Sequence, residues 1–225
     1  MRAVALAVAV ALAAGAAAAW PAKIPLPVDG PATNAPVPAA GAVPDLWFPV
    51  GEEQVLDLQW GILSVGTSRV WTEWIREYGE WLLAIRMRTR TTRVLDAIYP
   101  VDDFIESVVD PVTFLPRRFV KKINEGKSRY DEETVFDHVR RIATWRSLRD
   151  GKAKVFPIEA DTRDIPAMLY WFRRERFEPG DPRQFQVMAD EKMYTVFPKP
   201  VARETLRTAP FRSEEHTSEL QSRQS

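Results

Sequence analysis

From Trp81 to Arg88 the chain reads WLLAIRMR, in which Trp81, Leu83, Ile85 and Met87 alternate with Leu82, Ala84, Arg86 and Arg88. Successive side chains of a strand point to opposite faces, so this pattern predicts a strand that is apolar on one face and increasingly basic on the other. The same period recurs at 54–60, where Leu56, Leu58 and Trp60 share a face with Asp57 and Gln59 opposite. Gly61 and Gly66 bracket a turn and the start of the next strand, at 67–75. Further strands are expected at 103–109, 118–123, 129–136, 140–145 and 154–158. Asp110-Pro111, Asn124-Glu125-Gly126 and Asp150-Gly151 supply turn signals between them.

The period then changes. Ile165, Met168, Leu169 and Phe172 fall at helical spacing, which predicts one late helix over about 162–177. Asp161, Thr162 and Asp164 are candidate caps, and Pro166 suits a first turn. Strands resume at 184–189, 193–197 and 201–206. Many short strands with one helix imply a mainly β protein: a curved antiparallel sheet or incomplete β-barrel, with the helix's apolar stripe suited to lie across it.

Both ends differ from this body. Residues 1–19 combine Arg2, an Ala/Val/Leu run and Ala17-Ala18-Ala19. A short basic region, an apolar region and an A-x-A-like site predict a signal peptide cleaved near Ala19, hence export to the periplasm, with a retained N-terminal anchor as the alternative. Residues 20–46 are rich in Pro and Ala and read as an extended linker. The body is 47–211. Residues 212–225 contain RSEEHTSELQS, which lacks hydrophobic periodicity and resembles a sequencing adapter translated in one frame. On that reading the natural product diverges near Phe211, and C-terminal strands are missing.

Four segments occur in order that resemble the bacterial DUF3108 family: FPVGEEQVLDLQWGILSVG at 48–66, IYPVDDFIESVVDPVTFLP at 98–116, YDEETVFD at 130–137 and DIPAMLYWFR at 164–173. The resemblance spans about 48–211. It departs at Ala167, where the family more often has Ser. It implies an exported or envelope protein of unassigned function, and a family that continues past this point with further strands.

The residues offer little chemistry. There is no cysteine, which excludes disulfides, thiolate metal sites and thiol nucleophiles. Lys+Arg and Asp+Glu both number 31, which argues against a nucleic-acid binder. His138 is the one histidine of the body and lacks a visible constellation. Asp102, Asp103 and Glu106 lack the spacing of a Ca²⁺ loop. Asp161 and Asp164 are an acid/base pair or, more simply, caps. Arg117, Arg118, Lys121 and Lys122 read as a solvated basic face, as do Arg140, Arg141, Arg146 and Arg149. No hydrolase or phosphate-loop motif is present. The chain is expected to be no enzyme and to need no cofactor or metal.

Tryptophans 47, 60, 71, 74, 81, 145 and 171 are the most suggestive feature. They either fill a core or leave an apolar groove. Trp60, Trp81, Leu83, Ile85, Leu169 and Phe172 are the candidate groove lining. Expected partners are a lipid or another apolar envelope molecule; the alternative is a structural or protein-interaction module that takes an envelope protein partner.

Overall fold

The computed structural model describes residues 35–178, 180–189 and 192–200. The expected signal peptide, most of the linker, the strand at 201–206 and the C-terminal tail lie outside the described residues. Eight strands form one antiparallel sheet in sequence order, not closed into a barrel: β1 (Glu53–Trp60), β2 (Leu63–Glu77), β3 (Glu80–Thr91), β4 (Asp102–Val109), β5 (Pro116–Glu125), β6 (Ser128–Asp137), β7 (Ile142–Ser147) and β8 (Ala153–Pro157). A four-residue helix α1 (Arg93–Asp96) sits between β3 and β4. Helix α2 (Ile165–Phe172) follows the sheet and leads to the hairpin β9 (Phe185–Ala189) and β10 (Lys192–Val196).

The strands lie where the alternation predicts, with small shifts. β7 starts at Ile142 rather than 140 because Arg141 takes a positive φ of 57° in the preceding turn, which ends the ladder there. The helix is shorter than the predicted 162–177, and it buries a different face. Asp164 is its N-cap, accepting from the Ala167 amide at 2.8 Å, and its second carboxylate oxygen accepts from Ser107 of β4 at 2.6 Å. That anchor fixes the helix's rotation. Ala167 and Tyr170 turn to the sheet, while Leu169, on the expected stripe, points outward.

Register divides the sheet into two faces. On one, Leu83, Ile85 and Val109 pack against Phe48, Phe114, Ala167 and Tyr170. Phe48 meets Tyr170 edge to face at 4.8 Å, and the Trp47 indole donates to the Tyr170 carbonyl at 2.9 Å. Further along the same face, Ile105, Phe119, Phe136 and Ala143 pack with Ile158 and Met188. Arg163 stitches α2 to β9: its amide donates to the Gln186 carbonyl and its own carbonyl accepts from Met188.

On the other face, Trp71, Leu82, Ala84, Phe104, Val108 and Val120 are buried between charged neighbours. Arg86 pairs with Glu73 and, at 2.6 Å, with Glu106. Arg118 reaches Glu106 at 3.1 Å and Glu77 at 2.7 Å. Glu77 lies on β2 and Arg118 on β5. A flat sheet would separate those strands by about 14 Å, so the sheet bends toward this face to let them meet.

The expected solvated basic faces are corrected here. Arg118 and Lys121 are buried, because each stands opposite or beside a carboxylate in the register, Lys121 facing Glu132. Burial works against the charge of Arg118, but Glu106 and Glu77 outweigh it and hold its pKa above the ordinary value.

Candidate functional site

In a sequential antiparallel sheet, alternate turns fall at the same end. The β1–β2, β3–β4, β5–β6 and β7–β8 connections therefore share one end, and backbone hydrogen bonds tie them together. The Thr92 amide donates to Val65 at 3.1 Å, Gly126 to Pro100 at 2.7 Å, and Leu148 to Asp131 at 2.7 Å.

This end is unusually apolar. Trp60 pairs with Leu63 across a two-residue turn of Gly61 and Ile62, with Gly61 at φ 62° as such tight hairpins require. Turn positions normally carry polar or small residues. Here Ile62 is 99% exposed and Trp60 57% exposed, with Leu63 beside them. The neighbouring β3–β4 connection adds exposed Val94, Ile98 and Tyr99.

The hairpin is braced. The Asp57 carboxylate accepts from the Ser64 hydroxyl at 2.5 Å and from Gln59 at 2.8 Å, which holds its pKa below the ordinary value. The pairing slips between Leu58 and Gln59, leaving Val65 as the extra residue of a bulge. Val65 is buried, and its carbonyl takes the Thr92 bond. The apolar tip is thus held out by a fixed turn, a bulge and side-chain bonds.

The groove candidates do not share one surface. Leu83 and Ile85 are in the core under α2, where Phe48 and Tyr170 occupy the space beside them. Trp81 is half-buried beneath the Arg76 guanidinium, 5.6 Å from the ring. Phe172 joins an aromatic group with Trp171, Phe177 and Phe185. Leu169 is exposed on α2, and Trp60 stands at the apolar end. Ile62, Leu63, Val94, Ile98 and Tyr99 were not singled out by the sequence. The signal for the first two was Gly61 flanked by apolar residues on both sides.

The polar candidates are engaged structurally. His138 stacks on Phe136, and its Nε2 lies 2.9 Å from the Pro116 carbonyl. Asp102 pairs with Arg88 and Arg90, and Glu106 joins the buried ion pairs. Asp103 accepts from the Asn124 amide, and burial pushes its pKa up to about 7. Burial likewise pushes Asp164 up to about 7. A carboxyl titrating there has the pKa of a general base, but Asp164 and Ser107 are sealed between helix and sheet, out of reach of a substrate. Among the described residues, no three His, Asp or Glu side chains are grouped to hold a metal ion. No helix among them is long and apolar enough to cross a membrane.

Residues 56–222 match the model of a family described as Protein of unknown function (DUF3108). No curated protein and no solved structure matches the chain.

Proposed function

This chain belongs to the DUF3108 family, and from that footing we propose that it is an exported, non-catalytic envelope protein that binds lipid at the apolar end of its sheet. The observation that carries the reading is Ile62, 99% exposed at the tip of a braced hairpin between Trp60 and Leu63. Contiguous exposed apolar surface in an otherwise charged protein marks an interaction site. Tryptophan favours the boundary between acyl chains and water, where its ring is buried and its N–H remains solvated. A tip of Ile and Leu with Trp one step behind suits that gradient. The N-terminal sequence, with its signal-peptide pattern, is consistent with a compartment where such a surface meets lipid. The absence of a reachable acid, base or nucleophile among the residues discussed supports a binding role over a catalytic one.

Flotation with phosphatidylcholine vesicles tests this. The protein should float with the vesicles, and Ile62→Asp should weaken the association by about 10- to 100-fold, the equivalent of burying one large aliphatic side chain. Thermal unfolding of Ile62→Asp should match wild type, since Ile62 contributes nothing to the core. A wild-type chain that remains with the unbound fraction overturns the lipid reading and leaves a protein-interaction module as the reading to pursue.

A further inference from the structure

Close to the apolar end lies a cavity of about 260 Å³, lined by Thr67, Arg69, Arg88 and Arg90. The four residues come from β2 and β3, where Thr67 pairs with Arg90 and Arg69 with Arg88. They stand on the face opposite α2. Placing two arginines directly across a strand pair is destabilising by itself. Two carboxylates moderate it: Glu53 of β1 bonds Arg69 at 2.8 Å, and Asp102 of β4 takes Arg88 at 2.8 and 2.9 Å and Arg90 at 3.1 Å. The bonds from Arg88, ahead of the burial that opposes them, hold the Asp102 pKa below its ordinary value. Guanidinium groups present their N–H donors in a planar fork that matches phosphate oxygens, and the Thr67 hydroxyl adds a further donor.

Position links this cavity to the tip. Thr67 is four residues along β2 from Leu63, about 13 Å at the rise of a strand. An apolar segment lying in a bilayer interface sits about 5–10 Å below the headgroup boundary. With Ile62 and Leu63 at that depth, Thr67 and Arg90 stand level with the phosphates. We propose that Thr67, Arg69, Arg88 and Arg90 form a phosphate pocket that takes an anionic lipid headgroup. The proposal rests on the lipid-binding reading of the apolar end.

The test compares phosphatidylcholine vesicles with an equimolar mixture of phosphatidylcholine and phosphatidylglycerol, using the full chain. Wild type should bind the anionic vesicles more tightly. Arg69→Gln with Arg90→Gln, both at partly exposed positions, should lose roughly 30-fold in affinity for them, from about one charge-equivalent of attraction per arginine. Its binding to phosphatidylcholine alone should be unchanged, and circular dichroism should report the wild-type fold. Arg93→Gln with Lys127→Gln, exposed at the same end but outside the cavity, is the control for diffuse charge. An equal loss in that control, or an unchanged anionic preference in the Arg69/Arg90 variant, overturns the pocket. Inorganic phosphate titrated against vesicle-free protein separates the sources. Saturable heat that disappears in the Arg69/Arg90 variant supports a pocket for phosphate itself. If no vesicle binds, the lipid reading fails, and the pocket stands on that heat alone; without it, the pocket is overturned too.

Discussion

Replacing Asp164 by Asn should stabilise the protein at alkaline pH and leave it nearly unchanged in acid. The side chain is 1% exposed, and its carboxylate accepts from the Ala167 amide and the Ser107 hydroxyl. Burial raises its pKa from 3.8 to about 7 against both hydrogen bonds. The unfolded chain gives up this proton near pH 4, whereas the folded chain keeps it until about pH 7. Between those values the native state holds more protons than the unfolded state, so the group's contribution to stability falls as pH rises and levels off above pH 7. A gap from 3.8 to about 7 corresponds to a loss of roughly 4 kcal/mol, taken as a ceiling. Asparagine caps a helix about as well as aspartate. Its carbonyl can accept from Ala167 while its amide donates to Ser107, with no charge to bury. Urea unfolding followed by tryptophan fluorescence at pH 4 and pH 8 provides the assay. The midpoint of Asp164→Asn should match wild type at pH 4 and exceed it at pH 8, by up to about 4 kcal/mol after conversion. Asp164→Ala should be less stable at both pH values, by about 1 kcal/mol for the cap and about 1–3 kcal/mol for the stranded Ser107 hydroxyl. Parallel pH profiles for wild type and Asp164→Asn would refute the reasoning, because the stability difference would then owe nothing to ionisation.

Two further outcomes follow from the packing. Arg118→Met removes the cation shared by Glu77 and Glu106, and should cost about 3–5 kcal/mol in urea titration, as breaking a buried pair from one side does; a cost near zero would mean the carboxylates find water. Leu83→Ala should cost about 2–5 kcal/mol in a filled core, while Leu169→Ala, at an exposed helix position, should stay within about 0.5 kcal/mol; thermal unfolding of the two side by side distinguishes core from surface.

Much of the sheet was legible because its signal is local. The alternation at Trp81–Arg88 specified both faces of β3, and the basic half of that pattern matches Glu106 and Asp102 across the β4 register. What was illegible depended on contacts far apart in the chain. The helix stripe at Ile165, Met168, Leu169 and Phe172 had the right period, but its rotation is decided by a hydrogen bond from Ser107, 57 residues away. A basic run such as Arg117–Lys122 looks solvated until the partner strands bring Glu77, Glu106 and Glu132 to it. The groove candidates were chosen as apolar residues on one face, and apolarity alone does not say whether Phe48 and Tyr170 already occupy the space. The apolar end went unnoticed for the opposite reason. Ile62 is conspicuous only once the turn is known to have two residues, which leaves its side chain with nothing to cover it.

The strand order, running from β1 to β8 without a crossover, has a consequence for the time course of folding. Each ladder closes over a short connection, so little chain entropy is lost at any one step, and hairpins can add one after another while later segments are still being made. The packing of Trp47 and Phe48 on Tyr170 is different, for the indole bond spans 123 residues. A chain emerging N-terminus first, from a ribosome or a narrow channel, can zip its sheet early, but it leaves Trp47 and Phe48 undocked until the helix arrives. That last contact clasps the two ends of the sequence across a finished sheet, and it marks the moment at which the growing hairpin array becomes a closed, cooperative unit.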